Sequence, residues 1–543
     1  MSVAAAAQLS DQRRGEGAIQ LGGYAALAES AWMGAAQATD VLEPLNQVAP
    51  RRTFALRVPR LRLAGLLTRE FSIAEASFLL MASFFFSAML GAVRQVLFNA
   101  QFGAGDDASA YYAAFRLPDT LFSLVAGGAL SSAMIPVLLS TTREDGEDAG
   151  WRLTNLVLTV LLAAFAAIVV LGEVFAPAFV DGVLAPGFDA ESSRQTVTLT
   201  RIMLAQPLIL AVGSVATAVL NSRNQFLLTA LSVASHNVAL IAGIVAAKAF
   251  PDLGIYGPTL GVVGGAVLQV AILLPGVLAR GARYRPHWEL GDQRLREVVR
   301  LLVPNGLAVG VGYAGFILDT AFASKADDDA ALAAIVNAWL LVGLPIALLG
   351  QAVGQSAFPR LASHAAAMEW AELRRTLFRS LAAVGGLAVP ALLGLVVLGR
   401  PTIRILFEHG EFDVAAGSLT YEVLTAYAVA LPAYVATEVI TRGLIALRDT
   451  KTPLLTNSLQ LAGRAAVIAL LLDRHGAVAI PIAFAVTASI ETVALGTVLL
   501  TKLRRRERQR GLEAGGWSIG ATPSSDPNPQ PLAPVQMIEQ SAP

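Results

Sequence analysis

The sequence predicts an all-α membrane protein with about 12 transmembrane helices in two pseudo-symmetric lobes of six. Hydrophobic residues make up 55% of its 543 residues and charged residues only 15%, with a mean hydropathy of +0.60. A soluble domain carries about 25% charged residues. Apolar runs recur from about residue 71 to about residue 500. Each is long enough, alone or with its flanks, to supply the roughly 20 helical residues that cross a bilayer core.

The apolar runs divide the chain into five regions. We predict a disordered, basic cytoplasmic extension over 1–70, a first lobe over 71–280, a cytoplasmic linker over 281–300, a second lobe over 301–503 and a disordered cytoplasmic tail over 504–543. The polar composition of both ends is typical of disordered segments. The spans are expected near 72–100, 108–140, 153–182, 197–221, 226–249, 256–279, 301–323, 330–360, 380–407, 415–446, 454–472 and 478–501.

The charge of the loops predicts the orientation in the membrane. Loops after even-numbered spans carry arginine or lysine, as at Arg143, Arg223 and Arg283, whereas loops after most odd-numbered spans are acidic or nearly uncharged, as at Asp106 and Asp328. Because positively charged loops stay in the cytoplasm, both termini are expected there. The first residues lack the apolar core of a signal peptide, so the first span is expected to act as its own insertion signal.

A loose internal repeat favours the division into two lobes. An acidic start at Asp106 precedes a helix of small residues that reaches Pro118, and another at Asp327 precedes a similar helix that reaches Pro345. The offset of about 220 residues is half of the membrane region, as in transporters whose two duplicated lobes rock around a central site.

Charged residues inside the predicted spans are the candidate functional residues. A charge at the centre of a span costs about 2.5–3.5 kcal/mol on insertion scales, so it usually faces a cavity or a partner. Those found here are Arg94, Arg116, Asp119, Asp319, Glu438, Arg442, Arg464 and Glu491. Glu438 and Arg442 are four residues apart and are expected to pair, and Arg116 and Asp119, three apart, are expected to satisfy one another. Arg94 either faces a cavity or extends to a membrane face.

Asp319 has no residue of opposite charge one turn away on its own helix. It is therefore a candidate cation or proton site, together with Asn457 of the eleventh span, and a structural role is equally open. No cofactor is expected beyond such a coupled Na⁺ or H⁺. His236 is expected to be a packing residue.

Several functional classes are excluded or disfavoured. The chain has no cysteine, which removes disulfides, thiolate metal sites and cysteine nucleophiles. Its five histidines show no metal-ligand spacing, and no P-loop is present, which disfavours an ATP-driven pump. No catalytic motif stands out, so a transporter is predicted rather than an enzyme. The net charge is zero and by itself identifies no partner, and nucleic acid is not expected as one.

Short motifs spread over residues 80–500 resemble a known family. In chain order they include Leu90-Gly91-Ala92-Val93-Arg94, Phe102-Gly103-Ala104-Gly105, Ala113-Ala114-Phe115-Arg116-Leu117-Pro118, Gly128-Ala129-Leu130-Ser131, Ala185-Pro186-Gly187-Phe188, Ile405-Leu406-Phe407-Glu408 and Asp449-Thr450-Lys451-Thr452-Pro453. Together they resemble the MurJ (MviN) family of lipid II flippases in the MOP exporter superfamily. The resemblance implies the MOP exporter fold, the bacterial plasma (inner) membrane and export of the undecaprenyl-pyrophosphate-linked peptidoglycan precursor. Family members often have fourteen spans, whereas this sequence predicts twelve.

The resemblance also implies which residues bind the substrate. Arg94 keeps the place of a family cavity arginine, and Arg116 and Ser87 are further candidates. Other positions depart from the family pattern. A second arginine is replaced by Ala88, an aspartate by Ser109, a basic residue by Phe122, and the arginine of the eighth span by the apolar pair Trp339-Leu340. The chain is thus a divergent member with fewer cavity arginines, the side chains best suited to bidentate phosphate binding.

Three functional hypotheses follow. The first is a lipid II flippase in which a water-accessible chamber between the lobes, lined by guanidinium groups, carries the head group while the polyprenyl tail stays in lipid. The second keeps the fold and changes the cargo to another polyprenyl-linked glycan or an amphipathic cation. The third is a non-transporting membrane scaffold. The expected partners are the lipid-linked precursor, membrane lipids and proteins of cell-wall synthesis.

Overall fold

A computed structural model describes residues 73–126 and 129–516, and every regular element in these ranges is helical. Two π-helical turns, Val180–Leu184 and Ile346–Gln351, and two short 3₁₀ turns, Pro251–Leu253 and Gly476–Val478, interrupt the α-helices. The α-helices are α1 (Ile73–Phe102), α2 (Asp106–Ala126), α3 (Ala129–Asp145), α4 (Glu147–Phe179), α5 (Ala190–Met203), α6 (Ala205–Ser222), α7 (Phe226–Ala249), α8 (Tyr256–Leu278), α9 (Gln293–Ala323), α10 (Ala331–Pro345), α11 (Ala352–Ala366), α12 (Trp370–Leu406), α13 (Val414–Ala446), α14 (Lys451–His475) and α15 (Ala479–Gly516).

All twelve predicted spans fall on helices. The second span corresponds to α2 and α3, the fourth to α5 and α6, and the eighth to α10 and α11 with a π-helical turn that starts directly after Pro345. Within 73–126 and 129–516, nine stretches are long and apolar enough to cross a membrane, α14 and α15 counting as one, and α9 adds the shorter apolar stretch Val309–Ala323.

Two predicted boundaries differ from the structure, and each difference has a local cause. Helix α9 begins at Gln293, inside the predicted linker, because the Asp292 side chain accepts a hydrogen bond from the Leu295 N–H at 2.8 Å and caps the helix. Helix α15 continues to Gly516, so the first part of the predicted disordered tail is helical. It is anchored by an ion pair between Glu507 and Arg374 of α12 at 3.2 Å. The predicted extension 1–70 lies outside the described residues.

The loops lie at two ends of the bundle that differ in charge. The acidic end comprises the loops 103–105, 185–189, 324–330 and 407–413, and the basic end comprises the loops 223–225, 279–292, 367–369 and 447–450. Contacts between the helix turns next to these loops support the grouping. At the acidic end Gln195 of α5 donates to Asp107 of α2 at 2.5 Å, and at the basic end Arg294 of α9 pairs with Glu144 of α3.

In each lobe one central helix packs against several others. In the first lobe α7 packs on α8 and α1, and glycines allow the backbones to approach, since a Cβ at Gly261 would lie 3.1 Å from the Leu240 Cα. In the second lobe α13 packs against α10, α11, α12 and α15.

Helix α9 connects the lobes by packing on both. Its first turns contribute Leu295 and Val298 to the apolar core of α3, α4 and α6. Its last turns contribute Ala323 to a second core that includes α1, α2 and the helices of the second lobe. The second core is continuous across the lobe boundary near the acidic end.

Hydrogen bonds join the two lobes at the acidic end. The Glu411 N–H donates to the Ala100 carbonyl at 3.0 Å, and the Gly187 N–H donates to Ser324 Oγ at 3.1 Å. Ser109 Oγ donates to the Asp329 carbonyl at 3.0 Å. The lobes are therefore in contact, and closed against each other, at this end.

We expect Gly410→Ala to destabilise the closed acidic end. Gly410 has φ of +63°, and an added Cβ would collide with the Ala100 carbonyl group, so the substitution should cost about 1–3 kcal/mol and lower the melting temperature in detergent. Gly386→Ala is the control, because Gly386 lies in helix α12 with nothing within 4 Å of an added Cβ. Equal melting temperatures for the two variants would contradict the close contact.

Candidate functional site

Ser87 and Arg94 of α1 face Asn237 of α7 and are connected through it. Arg94 donates to Asn237 Oδ1 at 3.2 Å, and the Asn237 amide donates to Ser87 Oγ at 3.1 Å. Gly91, between them on the same face, leaves room for this contact. The Arg94 guanidinium is thus held inside the first lobe rather than extended to a membrane face, and both predicted substrate-binding residues belong to one polar cluster.

Arg116 of α2 reaches across the lobe boundary to α9. Its Nε donates to Thr320 Oγ1 at 3.1 Å, and its guanidinium carbon lies 5.4 Å from the centre of the Phe316 ring. It also interacts electrostatically with Asp119 on its own helix, as the sequence predicted. Arg116 therefore occupies the boundary between the lobes, where the sequence placed the substrate chamber.

Asp319 forms an ion pair with Arg464 of α14. Both residues are buried, with 3% and 6% of their surface exposed. The Arg464 guanidinium also stacks over the Phe484 ring, with its carbon 4.8 Å from the ring centre. Asp319 is therefore not an isolated acid, and a cation bound to it would compete with Arg464. Its coupling role with Asn457 stays a prediction.

Five ionisable side chains form a row of alternating charge across the two lobes. Asp119 interacts electrostatically with Arg116 and Arg94, and Asp319 interacts with Arg464 and Arg116. We call Arg94, Asp119, Arg116, Asp319 and Arg464 the charge row. Its three arginines and two aspartates leave one net positive charge at the lobe boundary, so the site can attract an anion while most of its charge is compensated.

A buried amide cluster lies beside the charge row, nearer the acidic end. Gln95 Nε2 of α1 donates to Asn337 Oδ1 of α10 at 2.9 Å and to the Tyr112 hydroxyl at 2.6 Å. Asn99 Nδ2 also donates to Asn337 Oδ1, at 2.9 Å. We call Gln95, Asn99, Tyr112 and Asn337 the amide cluster. The amide cluster joins the lobes by neutral hydrogen bonds. Because its side chains are uncharged, the pattern of charges within the spans does not predict it.

Two of the positions that depart from the family pattern, Ser109 and Trp339, have structural roles instead. Ser109 is buried at the closed acidic end, where it bonds to the second lobe. Trp339 packs edge-on against Phe316, Tyr427 and Phe484, with ring centres 5.4–5.8 Å apart. Ala88 is exposed on α1. An aromatic cluster therefore stands where the family arginine of the eighth span is expected.

A cavity lies within the second lobe, between α9, α10, α13, α14 and α15. It has about 600 Å³ of empty space, counting the part open to solvent. Its lining combines aromatic and polar side chains, among them Phe316, Trp339, Phe484, Asn457, Arg464 and Glu491. This cavity differs from the predicted chamber, since it belongs to one lobe and neither Arg94 nor Arg116 lines it. Asn457 lines it, whereas Asp319 does not.

The comparisons with known proteins decide the family. A family model described as lipid II flippase MurJ matches residues 98–518. The chain belongs to this family. A lipid II flippase MurJ of Burkholderia cenocepacia is 30% identical over 373 residues, which cover 68% of this chain and 72% of that protein.

Solved structures agree with the family assignment at the level of the fold. A lipid II flippase MurJ in an inward closed conformation matches with a TM-score of 0.67 and 21% identity, over 79% of this chain and 90% of that one. An inward-facing multidrug transporter of the MATE family, in the MOP superfamily, matches with a TM-score of 0.68 and 11% identity, over 78% and 96%. The predicted resemblance and the predicted MOP exporter-like fold are therefore confirmed.

We expect Arg464→Met to destabilise the protein by about 3–5 kcal/mol, because it leaves the Asp319 carboxylate buried without its partner. The double variant Asp319→Asn with Arg464→Met should recover most of the lost melting temperature, since both charges are removed. Arg474→Met, exposed near the end of the same helix, is the matched control and should change little. A double variant less stable than either single one would show that the two residues do not act as a pair.

Proposed function

We propose that the protein is a lipid II flippase that moves the lipid-linked peptidoglycan precursor across the bacterial plasma membrane by alternating access. The observation that carries the proposal is the family match over residues 98–518. The geometry supports it, because two arginines of the charge row, Arg94 and Arg116, lie at the depth of the spans near or on the lobe boundary. The precursor is moved without covalent change, so no enzymatic step is needed.

The orientation we propose places the basic end and both termini in the cytoplasm. The loops of the basic end carry exposed arginines, such as Arg283 and Arg285, next to exposed Trp288. Arginine is enriched in cytoplasmic loops, whereas tryptophan is enriched at both membrane surfaces, so the arginines set the orientation and Trp288 only indicates a membrane surface. Anionic lipids of the cytoplasmic surface are the expected partners there. The closed acidic end then faces outward. Contacts with proteins of cell-wall synthesis stay a prediction.

Substrate binding exchanges the partners of the charge row. A diphosphate entering from the cytoplasm offers oxygens that compete with Asn237 for Arg94 and with Asp119 for Arg116. Arginine binds phosphate oxygens in a bidentate manner, and such charge-assisted bonds are about twice as strong as neutral ones. A diphosphate is therefore favoured over the neutral Asn237 amide at Arg94 and, through its greater charge, over the single carboxylate of Asp119 at Arg116, even though the row has only one net positive charge.

The helix that carries Arg94 also offers an apolar surface to the polyprenyl tail. Helix α1 exposes Phe78, Met81, Phe85 and Met89 along the side opposite to the one that carries Ser87 and Arg94. The tail can lie on this side in contact with lipid while the head group occupies the lobe boundary. Outward opening then requires the amide cluster to separate, since Asn337 belongs to the second lobe and its partners to the first.

The membrane potential favours export in this orientation. Each negative charge that leaves a cell with a negative interior gains about 2.3 kcal/mol per 100 mV. A diphosphate with about two charges gains about twice that, so transport does not depend on a coupled ion for its direction.

We expect Arg94→Gln and Arg116→Gln each to lower flipping about 10- to 100-fold, because each removes a charged hydrogen bond worth about 1.5–3 kcal/mol. Arg94→Lys should fall between Arg94→Gln and the unmodified protein, since it keeps the charge and loses the planar fork. The measurement is appearance of lipid II on the outer surface of proteoliposomes. Arg285→Gln, exposed at the basic end, is the control.

Complementation of a strain depleted of its own flippase distinguishes this proposal from its rivals. Growth should be restored by the unmodified chain and by Arg285→Gln, and not by Arg94→Gln, at equal membrane levels. Failure of the unmodified chain, together with retained export of an amphipathic cation, would favour the second hypothesis. Rescue by all variants alike would favour a scaffold.

A further inference from the structure

Glu491 is a buried carboxylic acid of α15 that lines the cavity of the second lobe. Only 8% of its surface is exposed. Its polar side-chain contact is the Thr456 hydroxyl of α14, which donates to Glu491 Oε1 at 3.3 Å. Within residues 73–126 and 129–516, no lysine, arginine or histidine forms an ion pair with it. The acid therefore differs from Asp119 and Asp319, which are both matched by arginines.

The guanidinium group that lines the cavity already has a carboxylate partner. Arg464 of α14 lines the same cavity as Glu491, but it forms the ion pair with Asp319 of α9 and stacks over Phe484. Helix α10 contributes Trp339 to the lining. Asp319 is not among the residues that line the cavity, but it neutralises Arg464, so α9, α10 and α14 leave Glu491 without a cation of its own.

Helix α13 adds a second acid and its own partner. Glu438 pairs with Arg442 at 3.9 Å, and its carboxylate interacts unfavourably with that of Glu491. Tyr434, on the same helix, lines the cavity. Arg442 therefore pairs with Glu438 and not with Glu491, and an ionised Glu491 would face the negative charge of Glu438. An ionised carboxylate at this depth without a cation is strongly disfavoured.

We propose that Glu491 is a proton-binding site of the second lobe, which takes up and releases a proton through the cavity. The carboxylic acid dissociates to a carboxylate and a proton, the proton leaves to water in the cavity, and no other bond changes. The site itself does not depend on the transport role, but its participation in the transport cycle rests on the flippase function proposed above.

The lining favours a proton over a metal ion. A metal cation bound to Glu491 would need several oxygen ligands around it. The rings of Phe316, Trp339 and Phe484, which line the cavity, offer no oxygen ligand. The Arg464 guanidinium in the same lining repels a metal cation. A proton needs only the carboxylate and the hydroxyl of Thr456.

Loss of the proton has a defined consequence for the packing of α15. A negative Glu491 repels the Glu438 carboxylate of α13, and α13 and α15 pack against each other. Protonation of Glu491 therefore favours the arrangement described here, and deprotonation favours a rearrangement of these two helices.

The direct test is a pH titration of the whole protein, in lipid, followed by infrared difference spectroscopy. The carboxyl C=O signal that appears on protonation should lose one component in Glu491→Gln and shift in Glu491→Asp. Glu422→Gln, an exposed acid on α13, is the matched control and should leave that component in place. An unchanged C=O signal in Glu491→Gln, with a normal melting temperature, would overturn the proposal.

Transport in proteoliposomes with a clamped membrane potential is the second test. An imposed pH gradient should stimulate flipping by the unmodified chain and by Glu422→Gln, and this stimulation should be lost in Glu491→Gln. Stimulation by a sodium gradient that requires Glu491 would instead indicate a metal site and overturn the proton assignment. If no variant flips lipid II, the proposed function fails, and the infrared titration still decides whether Glu491 binds a proton.

Discussion

The requirement that each charge at membrane depth lie near an opposite charge governs the arrangement of this molecule. Arg94, Asp119, Arg116, Asp319 and Arg464 alternate in sign from α1 to α14. Isolated, each would cost several kcal/mol in a low-dielectric interior. Together they compensate one another and hold the boundary between the lobes. The same electrostatic requirement explains how a site for an anion is stable before the anion arrives, because the two aspartates take the place of its negative charge.

Helix α9 connects the charge row to the apolar cores of both lobes. It begins in the core of the first lobe, passes Arg116 at Thr320, and pairs with α14 through Asp319. A Cβ at Gly306 would lie 3.0 Å from the Leu124 carbonyl oxygen, so the backbone of α9 runs close to α2. Any rearrangement of the lobes therefore moves α9, which belongs to both cores and carries Asp319 of the charge row.

Local sequence patterns predicted the helices well and the tertiary partners poorly. The apolar runs predicted helices at all twelve span positions, since this signal depends on residues close in sequence. The Glu438–Arg442 pair was predicted for the same reason. The partner of Asp319 was not, because Arg464 lies 145 residues away on another helix. The predicted chamber between the lobes also differs from the cavity found in the second lobe. Its shape depends on how aromatic rings such as Trp339 pack, which no local pattern records.

The amide cluster gives the closed end a particular chemical character. Gln95, Asn99, Tyr112 and Asn337 carry no formal charge, so the bonds that join the lobes there are not screened by dissolved ions. What can replace them is water, which offers the same donors and acceptors. The rate at which these hydrogen bonds between the lobes open should therefore depend on how readily water reaches the amide cluster, and it should not change with ionic strength.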